Sequence, residues 1–398
     1  MSGTGLLLAQ SRDMDEPEGN DFLSARKLRV AIVAPSLRIL GGQAVQANRL
    51  IQSWENDRDI EAWLVPVNPL PPPPLARLVD IKFVRTAVTQ LVYWPQLFRE
   101  LERADVVHVF SASYTSFLLA PLPAILAARS IGKPVILNYR SGEAPDHLRR
   151  SSIARAALAS VERCIVPSRF LVDVFQSFGL RATAVPNVVD LDRFKFRDRH
   201  PLRPRILSTR NFEGLYNVAC TLRAFKRVQK SWPNASLTLV GGGPLERELR
   251  AFASELQLEH VEFVGRVTPD RIADYYATHD IYVQSPNIDN MPTSILEAYA
   301  SGLPVVSTEA GGVPAILTND EHGLLAPIDD DNALASAVLR LLEQPGVARE
   351  LAHNAYATCE AFSWQQVRGQ WLSHYRQVWQ AYEHQPAARL RLDPERNR

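Results

Sequence analysis

Short apolar segments alternate with amphipathic segments along most of the chain. The first apolar segment, residues 28–35, reads LRVAIVAP and is rich in β-branched residues, which is typical of a strand buried in a parallel sheet. Gly41 and Gly42 follow it, and then a helical spacing of apolar residues that includes Val45 and Trp54. A strand, a glycine loop and a helix in this order open a doubly wound α/β domain. Further strands are predicted at residues 62–67, 106–110, 135–138, 163–166 and 183–185.

An irregular and charged stretch, residues 186–204, separates this series from a second one. The second series alternates strands and helices, which again indicates a doubly wound domain. Its strands are predicted at 205–208, 236–240, 261–264, 281–284 and 304–308, and its helices at 218–231, 245–256, 271–278 and 293–300. Two such domains would face each other across a cleft, with ligands at the carboxyl ends of the strands.

The pattern divides the chain into two domains joined by a linker, and a length of 398 residues suits two domains of roughly 150–200 residues each. A final helix within residues 363–386 is expected to pack back toward the N-terminal domain. Residues 1–27 and 387–398 are expected to be flexible tails. We predict the N-terminal domain at residues 28–185, the linker at 186–204 and the C-terminal domain at 205–362.

One segment of the first domain interrupts the alternation. Pro69 and residues 71–74, all proline, predict a stiff extended connector. Residues 75–103 then predict a helix that combines basic residues with aromatic ones, among them Tyr93 and Trp94. Such a helix can lie on a membrane surface or pack on the sheet of its own domain. We favour packing on the sheet.

Charge is distributed unevenly although the net charge is only +1. Residues 28–189 hold 18 Lys and Arg against 12 Asp and Glu, whereas residues 191–398 hold 23 against 25. The basic first half allows contact with phosphates of an acceptor or with an anionic membrane, but ordinary solvated charge explains it equally well. The chain has no dense Lys/Arg tract and no nucleic-acid motif, so nucleic acid is not expected as a partner.

The remaining composition favours a cytoplasmic protein. Cys164, Cys220 and Cys359 lie far apart without a CxxC pair, so neither a zinc site nor a disulfide framework is predicted. No apolar run approaches the roughly 20 residues that span a bilayer. Residues 1–27 lack the basic start of a secretory signal. We therefore expect the protein in the cytoplasm, with a peripheral position at the cytoplasmic membrane left open.

Three glycine loops follow predicted strands. Glycine lets backbone amides approach a phosphate closely, and a following helix N-terminus favours negative charge, so the three together favour a phosphate-bearing ligand. None has the spacing of a dinucleotide fingerprint or of a P-loop, which disfavours a nicotinamide-dependent oxidoreductase. The loops are Gly41-Gly42, Gly241-Gly242-Gly243 and Gly311-Gly312.

The segment richest in chemistry is residues 285–314, SPNIDNMPTSILEAYASGLPVVSTEAGGVP. Pro292 suits the first position of a helix, which leaves the amides of residues 291–294 free to bind an anion. Glu297 would lie one turn inside that helix and accept hydrogen bonds from ribose hydroxyls. Asp289 would reach hydroxyls of a transferred sugar. The same residues also allow a Glu297 that only interacts with the helix dipole and an Asp289 that is only solvated.

Residues 205–330 resemble the C-terminal domain of the family 4 retaining glycosyltransferases, which have the GT-B fold of two Rossmann-like domains facing across a cleft. The family hallmark is two acids separated by seven residues, followed by an apolar helix, G-x-P-V-V and a glycine-glycine turn. The first matching elements are Asp289 and Glu297, then GLPVV at 302–306 and GGVP at 311–314. Upstream matches are TLVGGGP at 238–244 and VPNVVD at 185–190, and the N-terminal half matches more loosely, through Gly41-Gly42 and DVVH at 105–108.

The resemblance implies a role for each matching residue. Arg210 would bind the diphosphate of a nucleotide sugar, Glu297 would hold the ribose, and backbone near Val264 and Arg266 would line the base pocket. Asp289 would face the donor sugar. The rest of the implied donor site is Gly41, Gly42, Tyr216, Gly241, Gly242, Asn290, Met291, Pro292 and Thr293.

The resemblance also implies a mechanism without a metal or other cofactor, because cationic side chains and helix termini neutralise the leaving diphosphate. The transfer would be a same-face displacement through a short-lived ion pair resembling an oxocarbenium ion. The departing phosphate would help to deprotonate the acceptor hydroxyl. The implied catalytic set is Asp289, Arg210 and His108, with His108 and Arg140 as acceptor-side candidates.

The chain departs from the family pattern at several positions. The lysine usual five or six residues after the arginine is absent, and Tyr216 stands there. The first acid of the pair is the shorter Asp289 in place of Glu. Ala315 replaces the acid expected after the glycine-glycine turn, and Phe110 replaces the second histidine of a pair that would begin with His108.

We therefore expect a retaining, metal-independent glycosyltransferase that moves a sugar from a nucleotide sugar to a hydroxyl of a glycan or lipid-linked acceptor, in bacterial cell-surface polysaccharide synthesis. The missing lysine and the shorter acid motivate an alternative. In it the chain is a non-catalytic glycosyltransferase-like subunit that binds nucleotide or glycan in a polysaccharide assembly complex. Neither the donor sugar and base nor the acceptor follows from the sequence.

Overall fold

The computed structural model describes residues 26–38, 41–73 and 82–384, with side chains from residue 84 onward in the last range. The tails predicted at 1–27 and 387–398, apart from residues 26 and 27, lie outside these ranges, as do residues 75–81 of the predicted amphipathic helix. The described residues form two six-stranded parallel sheets with helices on their faces. This confirms the predicted pair of doubly wound domains.

The first sheet has its strands in the order β2-β1-β3-β4-β5-β6, all parallel. The strand order reverses between β1 and β3, which opens a crevice at their carboxyl ends. The strands are β1 (Leu28–Ala34), β2 (Ile60–Pro66), β3 (Val106–Ser111), β4 (Val135–Tyr139), β5 (Arg163–Val166) and β6 (Thr183–Ala184). The helices described with them are α1 (Gly42–Ser53), α2 (Lys82–Glu102), α3 (Tyr114–Leu119), α4 (Pro121–Ser130), α5 (Ala144–Arg150), α6 (Ser152–Ala159) and α7 (Arg169–Ser177).

The second sheet has the order β12-β11-β10-β7-β8-β9, again all parallel. Its order reverses between β7 and β10, so the loops after these two strands lie side by side. The strands are β7 (Arg205–Ser208), β8 (Ser236–Val240), β9 (Val261–Gly265), β10 (Ile281–Val283), β11 (Val305–Thr308) and β12 (Leu324–Ala326). The helices are α8 (Val218–Ser231), α9 (Glu246–Glu255), α10 (Ile272–Thr278), α11 (Thr293–Ala300), α12 (Asp331–Glu343) and α13 (Pro345–Thr358).

Every strand predicted from the sequence is present, with ends shifted by two residues or fewer. The prediction succeeds because the strands are covered by helices on both faces, so apolar residues run along them without alternation. All six residues of β3 are buried, for example. The same holds for β11, all four of whose residues are buried.

Helix α2 packs on the first sheet. Tyr93, Leu97 and Leu101, spaced by four residues, are fully buried in the core beneath that sheet. Leu91, on another face, is 69% exposed. Packing on the sheet is therefore the correct interpretation for the described part of this helix. Within the described ranges, no helix combines the length and the apolar character needed to cross a membrane.

The last described helix, α14 (Trp364–Glu383), returns to the first sheet. Its Val367, Trp371 and Tyr375 are buried against residues of β1, β3 and β4. Arg368 anchors it further through an ion pair of 2.7 Å with Asp57. The final helix therefore completes the core of the N-terminal domain on the face that also carries α1.

Candidate functional site

Two adjoining cavities open between the domains. The smaller cavity has a volume of about 210 Å³ and the larger one about 590 Å³. Both are lined by Gly42, Arg210, Tyr216 and Thr293, so they meet at these residues. Gly42 follows β1, Arg210 follows β7 and Thr293 follows β10. The cavities thus lie at the carboxyl ends of the strands where both sheets reverse their order, as the topology predicts.

Arg210 lies at the junction of the cavities and is held on three sides. Its Nη2 donates to Asp289 Oδ2 at 2.5 Å, and its Nη1 donates to Ser294 Oγ at 3.1 Å. The guanidinium also stacks over the ring of Tyr216 at 4.0 Å. Burial alone would lower the pKa of Arg210, but the charge of Asp289 raises it above its ordinary value. The predicted diphosphate ligand and the predicted sugar-facing acid are therefore direct neighbours.

The loop that carries Asp289 packs against the glycine-glycine turn at Gly311-Gly312. Gly312 N donates to Asp289 O at 3.1 Å. A Cβ at Gly312 would lie 1.8 Å from Asn290 O, and one at Gly311 would lie 2.1 Å from Asp289 O. Gly311 also has φ +54, in the left-handed region that favours glycine. Close backbone packing therefore accounts for both glycines here, and the phosphate role of Gly311-Gly312 stays a prediction.

The other two glycine loops differ in how much space they leave. A Cβ at Gly241 would lie 2.1 Å from Arg210 O, so this glycine lets the loop after β8 pack against the backbone of Arg210. A Cβ at Gly242 would lie 3.0 Å from Arg266 Cγ. Gly41 and Gly42 have nothing within 4 Å of an added Cβ, and both line the smaller cavity. Of the three loops, Gly41-Gly42 faces open space suited to a ligand.

The N-terminus of α11 contributes first-turn residues to the cavities. Thr293 and Ser294 line the smaller cavity, and first-turn amides lack partners within their own helix. Pro292 is the N-cap of α11, whereas the sequence predicted it at the first position inside the helix. The Asn290 amide donates to Asp289 Oδ1 at 2.8 Å, so it already has a partner.

Met291 contacts the linker. Its carbonyl accepts a hydrogen bond of 2.7 Å from the Asn187 side chain, and its sulfur, Sδ, accepts one of 3.3 Å from Asn187 N. Met291 is buried, with 6% of its surface exposed. It therefore fastens the Asp289 loop to the linker while also lining the larger cavity.

Glu297 lies one turn inside α11 and lines the smaller cavity. Its Oε1 accepts a hydrogen bond of 3.2 Å from Nη2 of Arg49, a residue of α1 in the opposite domain. Burial raises the pKa of Glu297, although the charge of Arg49 opposes the shift. Arg49 was not predicted from the sequence. The one signal for it is that Val45 and Arg49 stand one turn apart on α1 after Gly41-Gly42, and all four line this cavity.

The predicted base-side residues divide between core and cavity. Arg266 is exposed and lines the smaller cavity. Val264 is half-buried and packs against the core of the C-terminal domain, so its side chain does not line this cavity. The apolar wall consists instead of Val240, Val267, Pro269 and Ile272.

His108 does not belong to the site, which corrects both of its predicted roles. The ring is fully buried and lies between Phe110 and Trp371, with centroids 5.0 and 4.8 Å away. The Asn138 amide contacts Nε2 at 3.1 Å and the Tyr375 hydroxyl contacts Nδ1 at 2.7 Å. Burial lowers the pKa of His108 to about 3, so the ring stays neutral. It is a packed core histidine with both nitrogens occupied.

Arg140 lines the larger cavity from the N-terminal side. Its Nη1 donates to Asn138 Oδ1 at 3.4 Å and its Nη2 donates to Asn187 Oδ1, while the guanidinium lies over Phe110 at 5.4 Å. Burial lowers the pKa of Arg140 to about 10, which still leaves it charged at neutral pH. Its position is compatible with the predicted acceptor-side role, which stays a prediction.

The described residues contain no group of three or more His, Cys, Asp and Glu side chains arranged to hold a metal ion. Cys164, Cys220 and Cys359 are buried, and burial raises the pKa of each thiol. The expectation of a reaction without a metal stays a prediction.

Two protein-family models match the chain. The model described as Glycosyltransferase Family 4 matches residues 22–193, and the model described as Glycosyl transferases group 1 matches residues 203–344. The two matches therefore meet at the linker between the two sheets.

The curated relatives are named as transferases of different sugars. The phosphatidyl-myo-inositol mannosyltransferase of Mycobacterium tuberculosis is 24% identical over 379 residues, 88% of this chain and 97% of the relative. The sulfoquinovosyl transferase of Arabidopsis thaliana is 25% identical over 294 residues, 66% of this chain and 54% of the relative. The chain likewise spans 55% of the phosphatidyl-myo-inositol mannosyltransferase of Mycobacterium leprae, so the matches to these last two proteins cover about half of their length.

Solved structures show a similar fold at low identity. Sucrose-phosphate synthase from Thermosynechococcus elongatus gives a TM-score of 0.71 at 20% identity, over 89% of this chain and all of that one. The Anabaena protein HepE, solved with UDP and glucose, gives 0.69 at 17% identity, over 87% of this chain and 99% of that one. With two facing doubly wound domains and both family models matched, the chain has the GT-B fold and belongs to the group 1 glycosyltransferases of family 4.

Proposed function

We propose that this chain is a retaining, metal-independent glycosyltransferase that moves a sugar from a nucleotide sugar to a hydroxyl of a glycan or lipid-linked acceptor. The observation that carries the proposal is the contact of Arg210 with Asp289 at the junction of two cavities. One cavity can hold a nucleotide and the other an acceptor, so the bond to be broken would lie between them, beside Arg210. The proposed setting is bacterial cell-surface polysaccharide synthesis.

In this proposal the nucleotide occupies the smaller cavity. The base would lie against the apolar wall of Val267, Pro269 and Ile272, and the ribose hydroxyls would donate to Glu297. The diphosphate would lie between Arg210 and the open Gly41-Gly42 turn of the opposite domain. The similarly folded HepE was solved with UDP and glucose, which supports a nucleotide between such domains.

Charge on the leaving diphosphate would be stabilised by a single guanidinium and by backbone dipoles. Tyr216 stands where the family usually has a second cation, and it stacks on Arg210 in place of supplying a charge. The first-turn amides of α11 point their dipole toward the same region. Donors that are fixed before the reaction stabilise developing charge without reorganising, which is usually a large catalytic term.

The transfer step would proceed on one face of the sugar. The bond from the anomeric carbon to the phosphate oxygen breaks, and a bond to the acceptor oxygen forms on the same face. The acceptor proton passes to the departing phosphate oxygen. Asp289 would hold hydroxyls of the transferred sugar, with its orientation fixed by Arg210.

The acceptor would occupy the larger cavity. Its N-terminal wall carries hydroxyl and amide groups that suit a polyhydroxylated ligand, and Arg140 adds a positive charge. Relatives named as phosphatidyl-myo-inositol mannosyltransferases support an acceptor that is part of a lipid. The proposal includes peripheral contact of the protein with the cytoplasmic face of a membrane. The hydroxyl and amide groups belong to Gln43, Gln46, Ser113, Tyr114, Thr115 and Ser116.

A non-catalytic subunit is the second candidate function. It is favoured by Tyr216, which stacks on Arg210 at the position of the usual second cation, so that Arg210, already paired with Asp289, would face the diphosphate without a second positive charge. In such a protein the nucleotide or glycan would be bound without transfer.

The decisive experiment measures binding and turnover in the presence of EDTA. Calorimetry with UDP, GDP, ADP and dTDP reports binding, and incubation with the corresponding sugar nucleotides reports slow donor hydrolysis. NMR of the first-formed sugar anomer distinguishes retention from inversion. Binding with retained configuration supports the enzyme, and binding without any turnover supports the subunit. An absence of binding to all four nucleotides would contradict the enzyme and any nucleotide-binding form of the subunit.

A further inference from the structure

Arg49 connects the two domains at the smaller cavity. It lies on α1, and its Nη2 donates to Glu297 Oε1 of α11 at 3.2 Å. Its Nη1 donates to the carbonyl of Val188, in the linker, at 2.7 Å. Both charged side chains of the pair are only 11% exposed. A single guanidinium therefore joins the first domain, the linker and the second domain.

The pair is the strongest interaction that favours an ionised Glu297 at this depth, ahead of the Tyr276 hydroxyl. Transferring a carboxylate out of water is costly unless it is paired and hydrogen-bonded. Among the described residues, Arg49 is the cation that lies within ion-pair distance of Glu297. Without it, burial would favour the neutral acid or a rotated side chain that reaches water.

Arg49 is also restrained so that it can act as a fixed support. Its two terminal nitrogens are occupied by Val188 O and Glu297 Oε1, which fixes the plane of the guanidinium. Arg49 and Glu297 line the same cavity together with Gly41, Gly42 and Val45 of the α1 segment. The wall facing the carboxylate is thus built by the opposite domain.

We propose that Arg49 is a positioning residue that holds the Glu297 carboxylate ionised and oriented toward the ribose of the donor. The proposal rests on the proposed function, in which Glu297 accepts hydrogen bonds from the ribose hydroxyls. It extends that function, because recognition of the nucleoside by the C-terminal domain then requires the N-terminal domain to be in place. Binding of the nucleotide would therefore depend on approach of the two domains.

The test uses a probe that lacks the ribose hydroxyls. Calorimetry would measure the Kd of the tightest-binding nucleoside diphosphate and of its 2′,3′-dideoxy form. The Kd of the dideoxy form divided by the Kd of the parent nucleotide reports the ribose contact alone. The variants are Arg49→Met, Arg49→Lys, Glu297→Gln and the Arg49→Met/Glu297→Gln double variant. Arg376→Met is the matched control, because Arg376 forms an ion pair of 2.6 Å with Asp59 and lines neither cavity.

For the wild type we expect a ratio of about ten or more, the usual scale for hydrogen bonds to a charged group. The ratio should fall toward one in Glu297→Gln and in Arg49→Met, and the double variant should match the single ones. Arg49→Lys should retain part of the ratio, and Arg376→Met should retain all of it. Partial retention by the lysine variant distinguishes positioning from loss of folding, and thermal unfolding of each variant checks the fold.

Several results would overturn the inference. An Arg49→Met variant that weakens both probes equally would indicate that Arg49 contacts the phosphates directly. A wild-type ratio that survives in Arg49→Met would show that Glu297 needs no support. Wild-type protein that binds no nucleoside diphosphate would contradict the proposed function together with this inference, whereas the other two results leave the proposed function intact.

Discussion

Arg210, which is buried, and Arg140, which is half-buried, are two cations on the walls of the larger cavity, and they are held in different ways. Arg210, in the C-terminal domain, pairs with the carboxylate of Asp289 at 2.5 Å. Arg140, in the N-terminal domain, is held by the neutral amides of Asn138 and Asn187. No carboxylate in the described part of the chain forms an ion pair with Arg140.

The difference suits the two arginines to different tasks. The charge of Arg210 is offset by Asp289 before the reaction. In the proposed function, Arg210 would therefore stabilise mainly the extra charge that develops on the leaving diphosphate. Arg140 is half-buried and has no carboxylate partner among the described residues, which would favour an anionic or strongly polar ligand already in the ground state. In the proposed function, Arg210 would therefore serve the reaction and Arg140 would serve binding of the acceptor.

The largest effect is expected for Arg210→Met. Loss of the guanidinium removes the cation from the leaving group and leaves the buried Asp289 without its partner, so kcat/KM should fall by about 100- to 1,000-fold. Steady-state kinetics with the identified donor would measure this. Arg223→Met, which breaks a 3.0 Å pair with Asp331 away from both cavities, is the control. A fall of less than threefold for Arg210→Met would remove Arg210 from the catalytic set.

Gly312→Ala tests whether the Asp289 loop, on the C-terminal wall of the larger cavity, depends on close packing against Gly312. An added Cβ would lie 1.8 Å from Asn290 O, so the Asp289 loop must shift at a cost of about 1–3 kcal/mol, and activity should fall with it. Chemical denaturation and donor turnover measure the two effects. Gly346→Ala is matched to it, because nothing lies within 4 Å of the added Cβ there. Equal behaviour of the two variants would contradict the packing role.

A smaller and more selective effect is expected for Arg140→Met. If Arg140 acts on the acceptor, KM for the acceptor should rise by about tenfold, the scale of one charge-assisted hydrogen bond, while donor hydrolysis stays unchanged. The readout is the ratio of transfer to hydrolysis. Equal loss of transfer and hydrolysis would mean that Arg140 acts on the diphosphate, and the contrast with Arg210 would disappear.

The smallest effect on catalysis is expected for His108→Gln. His108 lines neither cavity, so kcat should change by less than about threefold, whereas the lost contacts in the core should cost about 1–3 kcal/mol of stability. Since burial lowers its folded pKa to about 3, the unfolded state binds a proton first as pH falls below about 6.5. Stability of the wild type should therefore decline between about pH 6.5 and 3. Denaturation at several pH values should show a shallower decline in the variant.

The C-terminal side of the site was largely accessible to prediction. Arg210 and Asp289 each follow a predicted strand, and Glu297 lies one turn inside a predicted helix. The topology of a doubly wound sheet brings the ends of β7 and β10 together. Their residue types also match a family pattern with defined spacing. The sequence could not show that Gly311-Gly312 packs against the Asp289 loop, because glycine serves a close backbone contact and a phosphate equally well and only the neighbouring atoms reveal the contact.

The N-terminal side was predicted less well. His108 follows the expected motif, but Tyr375, which contacts it, lies 267 positions later in the chain. Arg49 has no motif at all, and its partner Glu297 lies 248 positions away. Local spacing carries no information about such pairs, because they exist only once the domains and the last helix have packed.

The sequence alone determined the two doubly wound domains, because buried parallel strands need apolar runs and each βα turn leaves a local pattern. It also predicted Arg210, Asp289 and Glu297 as site residues, and the structure places all three on the walls of the two cavities. The tertiary structure decided which charges are balanced: Asp289 pairs with Arg210 and Glu297 with Arg49, whereas Arg140 is hydrogen-bonded to neutral amides and no described carboxylate offsets its charge. Charge balance depends on distances between atoms of separate elements, and these distances are set by packing of the two domains.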